Sequence, residues 1–327
     1  MTKAGPKIEE IRALRDRLTE QTLRTQITRC AAIEDRLGNG TEVVAKLEFL
    51  QRTGTFKARG ALATLQRLSA KEHQNGVTAV SAGNHAIATA FAARVTGTTA
   101  KVVMTRSANP ARVAACQSFG AEVVLADDVH QAFALAHEIR DQEGRFFVHP
   151  FEGVAVALGT GTVGLEICEQ VQAFDAIVIP VGGGGLIGGI SNAVKQLRPE
   201  VEVIGVEPKG ADSMHRSFES GKPESLDKVT TIADSLGAPY AMPYSFELAR
   251  QNVDRLVKVD DADIRKAMGF LFKSMNIAVE PACATSAAAL LGPLRESLRD
   301  KRVVLVMCGS NIDWATFSQQ ADFDDVN

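Results

Sequence analysis

The 327-residue chain is 45% hydrophobic and 23% charged, with a formal net charge of −3, a globular profile whose near balance of charge excludes a strong electrostatic case for nucleic acid or an anionic membrane as partner. Its length suits one large or two intertwined domains around a substantial core. Five cysteines without a CxxC pair argue against a disulfide framework or zinc ribbon, and the charged start MTKAGPKIEEIRALRDRL has no apolar signal core, so the cytoplasm is the expected location.

Ile8, Ile11, Leu14 and Leu18 recur at helical spacing among charges and predict an N-terminal helix. Residues 43–49 (VVAKLEF) read as a strand and 55–68 as a helix. Strands over 77–81, 101–104, 122–125 and 146–149 then alternate with helices over 84–95, 110–119 and 129–143. A second series has a helix over 161–172, a strand over 176–180, a helix over 186–197 and a strand over 201–206. Helices over 262–275 and 286–298 and a last strand over 302–307 complete it. Short apolar strands alternating with amphipathic helices predict an α/β fold with parallel sheets. Two series predict two sheets with a cleft between them, the usual place for a cofactor. Residues 209–249, with scattered Gly, Pro and Ser, read as a long irregular excursion of the kind that often carries function.

The turn Pro180-Val181-Gly182-Gly183-Gly184-Gly185 follows a strand and opens a helix. Four glycines leave no side chain to block an anion, so backbone N–H groups and the helix N-terminus can cradle a phosphate. Each glycine loses much backbone entropy on folding, which makes four of them a costly way to build an ordinary turn. Gly183, Gly185 and Gly188 also fit the dinucleotide fingerprint, with Glu207 about where a ribose-binding acid belongs. On this segment alone, a nicotinamide-dependent oxidoreductase competes.

Lys57 lies in TGTFKARGA (53–61). A lysine amine is normally protonated and a poor nucleophile, but in a dry, positively charged cleft it can lose its proton and form an imine with an aldehyde cofactor. Phe56 can stack on a flat pyridine ring, and Arg59 and Lys46 can supply the positive field. At the strand-to-helix turn Ser81-Ala82-Gly83-Asn84-His85, backbone N–H groups, the Ser81 hydroxyl and the Asn84 amide can hold a carboxylate. A dinucleotide enzyme needs neither segment. A lysine on a solvated helix and an ordinary capped helix start are the bland alternatives, and the conjunction of motifs weighs against them.

These segments, taken with Lys46-Leu47-Glu48 and Cys308-Gly309-Ser310-Asn311, resemble in order and spacing the serine/threonine dehydratase and serine racemase family. The resemblance covers roughly residues 20–318. It implies pyridoxal-phosphate fold type II, the tryptophan-synthase-β-like class, with two parallel-sheet three-layer domains around a cofactor cleft. Residues 1–61 and 150–327 would form the large cofactor-binding domain, and 62–149 a small mobile substrate domain. Lys57 is then the catalytic Schiff-base lysine. Phe56, Asn84, Gly182, Gly183, Gly184, Gly185 and Cys308 would hold the cofactor, and Ser81, Ala82, Gly83, Asn84 and His85 the substrate, with His85 ranked below Asn84. The implied assembly is a homodimer without nucleic-acid or membrane partners, and its partner molecule is a small amino acid.

Departures from the family pattern refine the activity. Ala82 stands where serine racemases carry a second serine, the acid/base opposite the lysine. Alanine cannot exchange a proton, and racemisation needs exchange on both faces while elimination needs one. Cys308 stands where the pyridine nitrogen finds its partner. A thiol does not hold a proton there as Asp does, which favours loss of a β-leaving group over transamination. Relatives of the racemase type bind a divalent cation (Mg, Ca or Mn). Here Glu207 and the Ala211 carbonyl match, but Ser213 replaces the second carboxylate, leaving a poor hard-cation set with Asp212 as a possible substitute. The expected activity is α,β-elimination of a β-hydroxy L-amino acid such as threonine or serine to a 2-oxo acid and ammonia. The alternatives are a racemase with side dehydratase activity, an oxidoreductase, and a protein that carries pyridoxal phosphate without turnover. Serine, threonine, hydroxyaspartate and aryl-serines all remain open as substrates, with residues 151–156 and 232–245 expected around the β-substituent. Ser235 stands where many relatives have glycine.

Overall fold

The computed structural model describes residues 5–81 and 83–324, and within them the apolar runs become the strands of two sheets. In chain order the elements are α1 (Ile8–Arg17), β1 (Ile27–Arg29), α2 (Ala31–Leu37), β2 (Glu42–Leu47), α3 (Lys57–Leu65), α4 (Ala70–Asn75), β3 (Val77–Val80), α5 (Asn84–Thr96), β4 (Ala100–Thr105), α6 (Pro110–Ser118), β5 (Glu122–Ala126), α7 (Val129–Glu143) and β6 (Phe146–Phe147). They continue with α8 (Val154–Gln170), β7 (Ala176–Pro180), α9 (Gly185–Leu197), β8 (Glu202–Pro208), α10 (Ser213–Ser220), α11 (Pro243–Asn252), β9 (Arg255–Val259), α12 (Asp261–Met275), α13 (Pro281–Leu291), β10 (Arg302–Met307) and α14 (Trp314–Gln320).

The larger sheet has six strands in the order β1-β2-β10-β7-β8-β9, parallel throughout except for β1, which runs antiparallel on its edge. The smaller has four parallel strands in the order β5-β4-β3-β6. Every residue of β7 is buried, as a parallel strand covered on both faces requires. The strands of the small sheet all lie between residues 77 and 147, and those of the large sheet flank them in sequence. Among the described residues, no helix is long and apolar enough to cross a membrane.

Helix α3 joins the two halves. Ala58, Ala61, Leu62 and Leu65 belong to one apolar cluster with Ile11, Leu14 and Leu18 of α1, Ile87 and Phe91 of α5, and Leu158 and Leu165 of α8. On its other side Arg59 is wholly buried in a four-charge network. Its guanidinium donates to Glu48 (2.8 and 2.9 Å) and Glu166 (2.6 and 3.0 Å). Lys46 donates to Glu166 (2.6 Å), Gln170 (2.8 Å) and the Thr25 carbonyl (2.8 Å). Two cations face two carboxylates, so the expectation that Arg59 and Lys46 supply positive field at the lysine is corrected. Both are neutralised locally, and they anchor α3 to β2 and α8.

Helix α9 is brought close to α8 by small residues. A Cβ at Gly164 would stand 2.7 Å from the Ile190 carbonyl oxygen, closer than side chains approach backbone. Residues 209–249 are less irregular than their composition predicts, because α10 and most of α11 lie within them. Helix α10 buries Met214 together with Ser213 and Ser217, so small polar residues conceal its apolar face.

Candidate active site

The segment before α3 is fastened to the segment after β10. Phe56 N donates to the Cys308 carbonyl (3.2 Å), and Ser310 N donates to the Gly54 carbonyl (3.0 Å). Asn311 Nδ2 donates to the Thr53 carbonyl (2.8 Å), and Thr55 forms a β-bridge with Gly309. Gly54 has φ +72°, and a Cβ there would overlap Asn311. Thr55 Oγ1 accepts from Lys57 N (2.9 Å) and so starts α3 at Lys57. Parallel pairing of β2 with β10 thus brings two motifs some 250 residues apart in sequence to one point.

The Lys57 side chain is half-buried between the halves, with Nζ donating to the Pro150 carbonyl (2.7 Å) and lying 5.2 Å from the Phe56 ring centroid. Burial lowers its pKa to about 8, against the opposing pull of Cys308 and Glu280. Phe56, Lys57, Asn84, Gly182, Gly183, Gly184, Gly185 and Cys308 line one cavity, the first seven of them drawn from three separate stretches of sequence. At the tetraglycine, a Cβ on Gly183 would overlap the Phe151 ring, and Gly184 has φ +89°, so neither position accommodates a side chain. Gly185 begins α9, whose free N–H groups and positive dipole end face the turn. A buried amine of lowered pKa, a flat aromatic neighbour and a side-chain-free anion cradle suit an aldehyde cofactor carrying a phosphate. Cys308 is 2% exposed, and its thiol is held well above its usual range, first by a hydrogen bond with Cys283 and then by burial, so it stays protonated and neutral.

Ser81, Gly83, Asn84 and His85 line an adjoining cavity of about 270 Å³ that Lys57 also faces. Ser81 Oγ accepts from Gly83 N (3.1 Å). Ala82 lies outside the described residues. His85 is tied into the scaffold, with Nε2 donating to the Val148 carbonyl (2.8 Å) and burial lowering its pKa to about 3, so it is a neutral wall. Asn84 is clamped: Nδ2 donates to both Glu280 oxygens (2.8 and 3.0 Å) and to Ser235 Oγ (3.2 Å), while Oδ1 accepts from Asn311 Nδ2 (2.8 Å). Burial raises the Glu280 pKa to about 7. Glu280 and Arg112 escaped the sequence reading. Glu280 carried one signal, a position immediately before the proline that opens α13. Arg112 carried none, since it reaches the site only by crossing from α6 to Asp234 (2.6 Å) and the Asn311 carbonyl (3.0 Å).

The candidate cation ligands do not fit a divalent ion. Glu207 is wholly buried and turns both oxygens to the start of α10, accepting from Met214 N (2.9 Å) and His215 N (2.7 Å). Asp212 is taken by Arg216 (2.9 Å) and Lys258 (3.2 Å), and the Ser213 hydroxyl has no partner. Ala211 and Ser213 therefore stand beside two committed carboxylates and two cations, where a hard cation wants several free carboxylate oxygens. No cluster of metal-ligating side chains occurs among the described residues. The same geometry removes Glu207 as a ribose-binding acid and with it the support for a dinucleotide site.

Comparison with known proteins agrees with this chemistry. The sequence profile described as "pyridoxal-phosphate dependent enzyme" matches residues 18–309. The chain is 52% identical to a phenylserine dehydratase of Ralstonia pickettii over 97% of both proteins. It is 36% identical to the catabolic L-threonine dehydratase TdcB of Escherichia coli K12, covering 98% of this chain and 97% of that one. Among solved structures, maize serine racemase superposes with a TM-score of 0.91 at 31% identity, covering 97% of each chain.

Proposed function

The chain belongs to the pyridoxal-phosphate dependent enzymes, and on that premise we propose that it is a dehydratase converting a β-hydroxy L-amino acid to a 2-oxo acid and ammonia. The observation that carries this reading is the convergence of the buried Lys57 amine, the tetraglycine turn and the neutral Cys308 thiol on one cavity. When bound, pyridoxal phosphate supplies an electron sink for the bond that breaks at the α-carbon.

The chain's own groups do the rest. Gly182–Gly185 and the N-terminus of α9 bind the phosphate. Phe56 would flank the ring, and Asn84, held by Glu280 and Asn311, would meet its hydroxyl edge. Cys308, a neutral thiol lining the same cavity, would hold the pyridine nitrogen and would not keep a proton on it as an acid would. Ser81, Gly83 and Asn84 grip the substrate carboxylate. Lys57, whose pKa burial lowers to about 8, would anchor the cofactor and take the α-proton of the substrate in its uncharged form. The β-hydroxyl then leaves, and the enamine product hydrolyses in water. Residues 62–149 act as the smaller, mobile unit that closes over substrate. The five cysteines are all free and buried, which suits a reducing compartment and a cytoplasmic enzyme. A homodimer is the assembly to be tested by sedimentation.

Racemisation is the second reading, favoured by the likeness to the maize structure, and Ala82 opposes it because alanine offers no proton on the far face. Purified protein supplied with the cofactor should absorb near the visible edge and release 2-oxo acid from β-hydroxy amino acids, and Lys57→Ala should lose both properties. A wild-type protein without the band, or a Lys57→Ala variant that retains it, would overturn the assignment of Lys57.

A further inference from the structure

The larger cavity extends well beyond the groups that handle the α-carbon. Lys57 and the Ser81–Asn84 turn fix the amino-acid head at one end, so the remaining space belongs to whatever the β-carbon carries. That space is bounded by Val80, Val103, Ala132 and Phe133 from the small-sheet half and by Phe151 and Tyr240 from the other. Serine would place a hydrogen there and threonine a methyl group, leaving most of about 270 Å³ unfilled. An apolar cavity of about 150 Å³ already accepts a benzene ring.

Three aromatic rings, Phe133, Phe151 and Tyr240, line this space, and rings behind them connect Phe133 to Phe151. Ring centroids step from Phe133 to His137 (6.5 Å), His137 to Phe147 (5.3 Å), Phe147 to His149 (6.3 Å), His149 to Phe151 (4.7 Å) and Phe151 to Tyr240 (6.1 Å). The series crosses from α7 to the segment before α11. Burial, with the nearby Lys57 charge, lowers the His149 pKa to about 4, so its link in the series is uncharged. Away from Lys57, the lining donors Arg112 and Thr105 are engaged by other protein groups and do not offer themselves to a β-carboxylate. Arg112 is held by Asp234 and the Asn311 carbonyl, and Thr105 Oγ1 is hydrogen bonded to Ser107.

We infer that the β-substituent of the substrate is an aryl ring, and that Phe133 on α7, with Tyr240 on the facing wall, selects it. The inference rests on the elimination reading above. Neither residue touches the reacting atoms. They act on which substrate is held, through apolar contact and edge or offset stacking on the ring. Because Phe133 belongs to the smaller half and Tyr240 to the larger, an aryl ring also spans the cleft and favours its closure, while a methyl group spans nothing.

The test measures kcat/KM of the holoenzyme for L-threo-phenylserine, L-threonine, L-serine and L-threo-3-hydroxyaspartate. Alongside it, binding of the non-eliminating analogues L-phenylalanine and L-alanine is measured. Phenylserine should be preferred over threonine by about tenfold or more, the discrimination expected when an apolar pocket is filled or left empty. Phe133→Ala should collapse that ratio and weaken L-phenylalanine more than L-alanine, and Phe133→Leu should fall between. If Phe133→Ala does not fold, Tyr240→Ala tests the same wall from the other side. Threonine turnover equal to that of phenylserine, or a ratio that neither variant shifts, would overturn the inference while leaving the dehydratase intact. Preferential binding of L-phenylalanine with no 2-oxo acid from any of the four substrates would support the aryl pocket and overturn the elimination reading instead.

Discussion

A lysine acts as a nucleophile or a base only when uncharged, and burial moves Lys57 toward that form by lowering its pKa to about 8. Its neutral fraction therefore rises about tenfold between roughly pH 7 and pH 9, and the rate at which the apoprotein captures pyridoxal phosphate should follow that curve and then level off. Stopped-flow absorbance across this range checks it, and a flat profile would contradict it. Glu280 has the opposite kind of shift, from 4.5 to about 7, because burial favours its neutral form. Between those values the folded apoprotein binds a proton that the unfolded chain does not. Its contribution is fully present below the lower value and is lost as pH rises through the upper one. Glu280→Gln, neutral throughout, should flatten that part of the stability profile in denaturant melts at pH values on either side. At the tetraglycine, Gly184→Ala places a side chain at φ +89°. It should cost about 1–2 kcal/mol of stability and also weaken cofactor binding, since the strain falls on the phosphate cradle.

Among the elements, α3 has the most demanding task, because it carries Lys57 at its first position and packs against both halves. The Arg59, Lys46, Glu48 and Glu166 network holds it with no exposed member. Removing one partner strands a buried charge, so Glu166→Ala should destabilise the protein by about 3–5 kcal/mol, read from chemical denaturation. That network was only half legible in the sequence. The segment TGTFKARGA marked the lysine, but nothing in the spacing of Glu48, Arg59 and Glu166 shows that they meet, since their contact depends on how α8 crosses α3. Strands β7 and β10 and helix α7 fall where apolar periodicity places them, because each is a continuous run bounded by turn residues. The edge strands of the larger sheet were hidden: β1 has three residues, and β9 buries only Val259, so neither shows the run of a covered strand. Helix α8 begins seven residues before its periodic pattern does, because Gly159, Gly161 and Gly164, which let α9 and α3 approach, dilute the pattern. Phe133, Tyr240 and Arg112 reach the cavity from elements far apart in the chain, and no local pattern announces such residues.

At the scale of the whole molecule, the cleft lies between a six-stranded and a four-stranded sheet, and side chains of the smaller half, Asn84, Asn109 and Arg112 among them, reach across it. Arg112 is foremost among them, joining α6 to Asp234 and to the Asn311 carbonyl beside the Cys308 turn. Arg112→Ala should raise KM by about tenfold with a smaller fall in kcat, because it removes a charge-assisted clamp across the cavity without touching the reacting atoms. Steady-state kinetics separates that outcome from damage to the chemistry, which would lower kcat first. Two sheets, a cofactor cleft and the lysine motif were all readable from alternation and from four short motifs. What the motifs left open was the balance between elimination and racemisation, because both use Lys57 and differ in what faces it. The most direct measurement is therefore a product balance on one pure enantiomer of a β-hydroxy amino acid turned over by the holoenzyme. Elimination predicts ammonia and 2-oxo acid in equal amounts, with the remaining substrate unchanged in configuration and no product from Lys57→Ala. Accumulation of the opposite configuration at the α-carbon without ammonia would contradict it.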